Sequence, residues 1–154
     1  MEHNVKRRSV LRNIGMGVAA LLGAGTVKAA PSKSKKEVVG EIVENQNMPL
    51  FSGAVRHGNT LYIAGKGAHF DGDIKAHTDH VLNELQKELE RNGSSMEQVL
   101  KVNVYLADLG DYHKMNEVYR GRFGENPPVR TTVATYGGVP GDSLVEIDCI
   151  AAVE

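Results

Sequence analysis

The 154-residue sequence carries 18 Lys and Arg against 19 Asp and Glu, with 17 Gly, one Cys and no Trp. That length fits one domain of ordinary size. The balanced charge and 41% hydrophobic content exclude a disordered tail, a collagen and a polytopic membrane protein, and one cysteine excludes a disulfide framework or a four-cysteine zinc site.

The average hides a split. Residues 1–30 hold five basic residues (Lys6, Arg7, Arg8, Arg12, Lys28) and one acid, Glu2, which leaves 13 basic and 18 acidic residues in the remaining 124. A basic stretch, Lys6 to Arg12, is followed by 14 Gly- and Ala-rich apolar residues from Ile14 to Val27. That run is shorter than the roughly 20 residues a membrane-spanning helix needs. Small residues then surround Ala29 and Ala30. The order is that of a removed signal peptide, and the paired arginines resemble a twin-arginine signal. The expected location is therefore the periplasm or the cell exterior, with no membrane attachment once residues 1–30 are gone. The body that remains is acidic, net charge near −5. Phosphate-backbone binding runs on Lys and Arg, so no nucleic-acid partner is expected.

Residues 31–36 read as a short linker and 37–154 as the domain. Glu37 to Val43 reads as a first strand. Leu50 to Arg56 and Leu61 to Gly65 flank the turn-forming His57-Gly58-Asn59 and read as a hairpin. Gly65 to Gly72 reads as a loop. Ile74 to Asn92 is predicted helical, because Val81, Leu82, Leu85 and Leu89 recur at helical spacing, Asp73 can cap the start and Gly93 can stop it. Val99 to Leu106 alternates as a strand. Asp111 to Phe123 reads as a second helix with Tyr112, Met115, Tyr119 and Phe123 on one side, ended by Asn126-Pro127-Pro128. Val129 to Tyr136 and Leu144 to Val153 complete the strands.

Two helices can cover only one face of such a sheet. On the last strand Val145, Ile147, Cys149, Ala151 and Val153 share a face suited to that core, and Cys149 reads as packing. Arg130, Glu146 and Asp148 are assigned to the other, helix-free face. A half-apolar, half-charged face of that kind calls for a second subunit to cover it.

Arg130 and Glu146 are the residues with chemistry to offer. A half-buried Arg is costly unless it meets an anion, and its planar fork suits a carboxylate. That anion could be internal, Glu146 or Asp148, or a ligand. His77, His80 and Glu84 lie at i, i+3 and i+7 on one side of a helix, and His69, Asp71 and Asp73 cluster in a loop. Either set could gather a metal, but a solvated surface accounts for both, and no metal site is assigned. No phosphate loop and no serine-nucleophile motif is present.

Several stretches together resemble the reactive intermediate deaminase (RidA/YjgF) family. They are Phe51 to Asn59, Leu61 to Gly65, Val102 to Leu109, Asp111 to Tyr119, Pro128 to Val133 and Val145 to Ala151. Their order and spacing span residues 37–154. The resemblance implies an α+β, chorismate-mutase-like fold: a mixed sheet with two helices on one face, assembled as a homotrimeric barrel with clefts between subunits. It implies hydrolysis of enamines and imines such as 2-aminoacrylate to a 2-keto acid and ammonia, with no metal or organic cofactor. The alternative is a non-catalytic trimeric protein that binds small carboxylates. By the same resemblance Arg130 is the carboxylate anchor, Glu146 the acid beside the attacked carbon, and Gly65, Phe51, Asn116 and Thr132 line the substrate. Phe51, Ala64 and Thr132 stand where the family often has Tyr, Ser and Cys.

Overall fold

The computed structural model describes residues 34–154. The leader assigned to residues 1–30 therefore lies outside the described residues. The elements are β1 (Lys36–Val38), β2 (Ile42–Asn45), β3 (Met48–Ser52), β4 (Ala54–His57), β5 (Thr60–Lys66), α1 (Ile74–Arg91), β6 (Val99–Leu106), α2 (Tyr112–Tyr119), β7 (Val129–Ala134) and β8 (Val145–Ala152). Six strands form one mixed sheet in the order β1-β4-β5-β8-β6-β7; β2 and β3 form a separate hairpin. All sheet pairs are antiparallel except β6 with β7, which α2 connects in parallel.

Both helices lie on one face. α1 packs on β5, β8 and α2. It buries Ile74, Val81, Leu82, Leu85 and Leu89, the stripe its periodicity predicts. Asp73 caps it, its carboxylate accepting the Ala76 N–H at 2.8 Å. Beneath the helices lie Leu61, Val102, Val104, Leu106, Val145, Ile147 and Cys149, all buried. β6 spans the predicted residues, and β8 alternates buried and half-buried along its whole length.

Register fixes which residues share a face. One row runs Arg130, Val102, Cys149, Ile63, Ala54 across β7, β6, β8, β5 and β4. Its other members are buried core residues, so Arg130 lies on the helix side of the sheet. Another row runs Val133, Tyr105, Glu146 on the uncovered side. The expectation that Arg130 and Glu146 share the helix-free face is wrong. A period of two says which residues of β7 go together, not which side they take. β7 is an edge strand, where a long polar side chain can reach past the core to the cleft beside α2. Glu146 and Asp148 do lie on the uncovered face, with exposed Tyr62, Val129 and Val133.

Two predicted strands are each broken once. The segment read as Glu37 to Val43 divides at Gly40, whose Cα sits so close to Ala54 that any Cβ would overlap the Ala54 backbone. The segment read as Leu50 to Arg56 divides at Gly53, whose N–H donates to Glu41 O at 2.7 Å. The hairpin of β2 and β3 therefore leaves the main sheet. The second helix stops at Tyr119 rather than Phe123, and Gly121 then turns the chain at φ +79°. Lys36, placed in the linker, already belongs to β1. Among the described residues no helix is long and apolar enough to cross a membrane.

Candidate active site

Three residues of α2 surround the Arg130 guanidinium. Tyr112, Asn116 and Tyr119 stand at i, i+4 and i+7, one face of a helix. Nη1 of Arg130 donates to Asn116 Oδ1 at 2.8 Å and Nη2 to the Tyr112 hydroxyl at 3.3 Å. Its Cζ lies 4.6 Å from the Tyr119 ring centroid and 5.8 Å from that of Tyr112. Among the described residues Arg130 has no carboxylate partner within 4.0 Å. The internal ion pair to Glu146 or Asp148 does not form: Glu146 is on the opposite face, and Asp148 accepts from Asn103 Nδ2 at 2.8 Å. An arginine has five N–H donors, so two occupied ones leave enough for a bidentate carboxylate.

The fork opens on a cleft of about 810 Å³ lined by His113, Asn116, Tyr119, Arg120, Pro127 and Arg130, among others. Tyr119 is only 9% exposed, and its hydroxyl has no hydrogen-bond partner among the described residues. Burial pushes its phenol up to about 12, against the opposing pull of the Arg130 charge, so it stays neutral. Thr132, two residues along the same side of β7, also has a buried hydroxyl without a partner among the described residues.

Glu146 occupies a different place. Its side chain crosses the Cα of Gly65, where a Cβ would overlap the carboxylate. A register shift between Ile63 and Lys66 creates that approach. Glu146 lines a cavity of about 230 Å³ with Tyr105, Thr135, Gly138, Val139, Pro140 and Asp148. The Tyr105 phenol is held above its ordinary value by partial burial first, then by Asp148 and Glu146 beside it.

Phe51 lies in a third place, on the β2–β3 hairpin, 51% exposed beside Leu50 at 62% and Met48 at 70%. One chain thus brings Arg130 and Asn116 together on one side, with Thr132 following Arg130 along β7, and Glu146 with Gly65 on the other. It joins neither group to Phe51. In sequence Tyr112 and Tyr119 read only as members of one side of the second helix. Their spacing from Asn116 was the available signal, two hydroxyl-bearing rings one turn either side of an amide.

His77 serves the fold. His77 is buried, its Nδ1 accepting the Leu144 N–H at 3.1 Å and its Nε2 donating to Phe70 O at 2.8 Å. Both nitrogens are occupied, so it cannot join His80 and Glu84 at a metal. His69 Nδ1 meets Gly141 O at 3.0 Å.

Fold and site define a small α+β protein with a one-sided mixed sheet and an arginine held by α2 at the edge of a cleft. Residues 35–153 match the family described as endoribonuclease L-PSP, and the chain belongs to that family, the RidA/YjgF family of the resemblance above. A RutC family protein of Pyrococcus horikoshii is 42% identical over 128 residues, 77% of this chain and 99% of the relative. A 2-iminobutanoate/2-iminopropanoate deaminase of Dermatophagoides farinae is 27% identical over 79% of this chain and 99% of its own. The crystal structure of a YjgF/YER057c/UK114 family member from Mycobacterium tuberculosis superposes with TM-score 0.67 at 27% identity, covering 77% of this chain and 100% of that one.

Proposed function

We propose that this protein hydrolyses 2-imino and enamine acids of the 2-aminoacrylate type to 2-keto acid and ammonia, outside the cytoplasm, at a site completed between copies of the chain. The observation that carries the reading is Arg130: a guanidinium held by a helix, lacking any carboxylate partner among the described residues, and facing a cleft. The deaminase name of the mite relative supports the same chemistry.

Arg130 holds the substrate carboxylate with charge-assisted hydrogen bonds worth about 1.5–3 kcal/mol. An enamine first takes a proton from water at its terminal carbon and gives one up from nitrogen to become the imine; water then adds to the C=N carbon, the carbinolamine forms, the C–N bond breaks and nitrogen leaves as ammonia. Glu146 orients that water and relays its proton to the departing nitrogen. Because Glu146 lies across the sheet from Arg130, the acid acting beside a given Arg130 comes from a neighbouring copy. The family resemblance supports a trimer for that assembly, which would also cover Tyr62, Val129, Val133 and the hairpin around Phe51.

A second reading, a carboxylate-binding protein without turnover, is favoured by the missing hydroxyls at Phe51 and Ala64. RNA is the poorer ligand for a body of net charge near −5. The deciding experiment supplies imines in situ from an amino-acid oxidase and follows their loss with wild type, Arg130→Ala and Glu146→Gln. Accelerated loss that needs both residues establishes the deaminase. Unaccelerated loss with intact binding of 2-ketobutanoate establishes the binding protein. Export is tested by fractionating cells that produce the full chain and a twin-lysine variant of Arg7 and Arg8.

A further inference from the structure

The anchor depends on more than Arg130. An arginine side chain has four rotatable bonds and loses about 2 kcal/mol of rotamer freedom when fixed. A fork that must be ordered by each arriving ligand binds it more weakly than one already in place. Here the ordering is done by α2. The Tyr119 ring lies under the guanidinium at 4.6 Å, within cation–π range, and the Tyr112 hydroxyl takes one Nη2 proton. At Tyr119 the contact with the guanidinium is made by the ring face.

We propose that Tyr119, through its ring face, and Tyr112, through its hydroxyl, are positioning residues that pre-set the Arg130 fork for a substrate carboxylate. The inference rests on the reading of Arg130 as a carboxylate anchor, and not on whether the bound acid is turned over. It assigns the two residues separate contributions. At Tyr119 an aromatic ring is required and the hydroxyl is dispensable; at Tyr112 the hydroxyl itself matters.

The test is calorimetric binding of 2-ketobutanoate to the purified protein. Tyr119→Phe is expected to bind within about twofold of wild type, Tyr119→Leu about tenfold more weakly and Tyr112→Phe about threefold more weakly. Unfolding midpoints and assembly mass verify that each variant is folded. The same substitutions are then placed on Arg130→Lys, which keeps the charge and loses the planar fork. There they are expected to cost nothing further. Tyr119→Leu binding as wild type does, or losing as much on the Arg130→Lys background, overturns the proposal. Absence of wild-type binding overturns it together with the anchor itself. Binding that follows the predicted order without any imine turnover leaves this inference standing and removes the deaminase.

Discussion

Arg130 and Glu146 sit on opposite faces of the same sheet, two strands apart, one in a row with Val102 and Cys149 beneath the helices and the other in a row with Tyr105 and Val133 on the open side. A reaction that needs both therefore needs two chains. Arg130→Ala and Glu146→Gln should each be inactive alone. Mixed, dissociated and reassembled in equal amounts, they should recover about a quarter of wild-type activity, because that fraction of sites pairs an intact arginine with an intact acid. Recovery of no activity, with mixed assemblies verified by mass, would show that the two act within one chain or not together.

Asn116 offers a test of charge. Its Oδ1 accepts from Arg130, and Asn116→Ala should weaken 2-ketobutanoate binding about tenfold through loss of a charged hydrogen bond. Asn116→Asp should be worse than Asn116→Ala, since its carboxylate would pair with the guanidinium and compete with the ligand. Titration calorimetry on the three proteins gives the order directly.

If Glu146 acts as proposed, Gly65 should tolerate no side chain. In Gly65→Ala the new Cβ would occupy the space of the Glu146 carboxylate, which is free to swing aside, so folding should survive. Turnover should fall at least tenfold with 2-ketobutanoate affinity nearly unchanged, because the acid moves and the anchor does not. A variant with wild-type rates would separate Glu146 from the chemistry.

Alkaline stability carries the imprint of two buried groups. The Tyr119 phenol and the Cys149 thiol are each pushed up to about 12 by burial, from ordinary values of 10.0 and 9.0. The folded chain keeps protons that the unfolded chain releases, so their contribution is intact below pH 9 and is lost as pH rises to about 12. Urea unfolding across that range should show falling midpoints, and Tyr119→Phe with Cys149→Ala should flatten the fall. For the same reason Cys149 should resist alkylation until the protein unfolds.

His77 ties two loops at once, Nδ1 accepting from Leu144 and Nε2 donating to Phe70, an arrangement readable from nitrogen chemical shifts. His77→Ala strands the Leu144 N–H and the Phe70 carbonyl and should cost about 2 kcal/mol or more in urea unfolding.

The parts of this fold that can be read from sequence are those set by local period. α1 follows from the spacing of Val81, Leu82, Leu85 and Leu89, β8 follows from alternation along its whole length, and β6 follows from alternation after the irregularity between Val99 and Lys101. The breaks at Gly40 and Gly53 cannot be read that way, since each depends on a contact with a distant backbone. The sidedness of Arg130 depends on the edge position of β7 and on how short α2 is, both properties of the assembled sheet. Site residues came mainly from family resemblance; Tyr112 and Tyr119 lay in the helix pattern unrecognised, because a ring that packs and a ring that holds a cation look alike in sequence.

The corner at Gly40 has a cost outside catalysis. By sending the β2–β3 hairpin away from the main sheet, it leaves Ile42, Met48, Leu50 and Phe51 in water on an isolated chain. Apolar patches of that kind promote indiscriminate sticking. If copies of the chain assemble as proposed, a newly made chain is most open to such sticking before it meets them, and solubility, as much as activity, should improve with whatever shortens that interval.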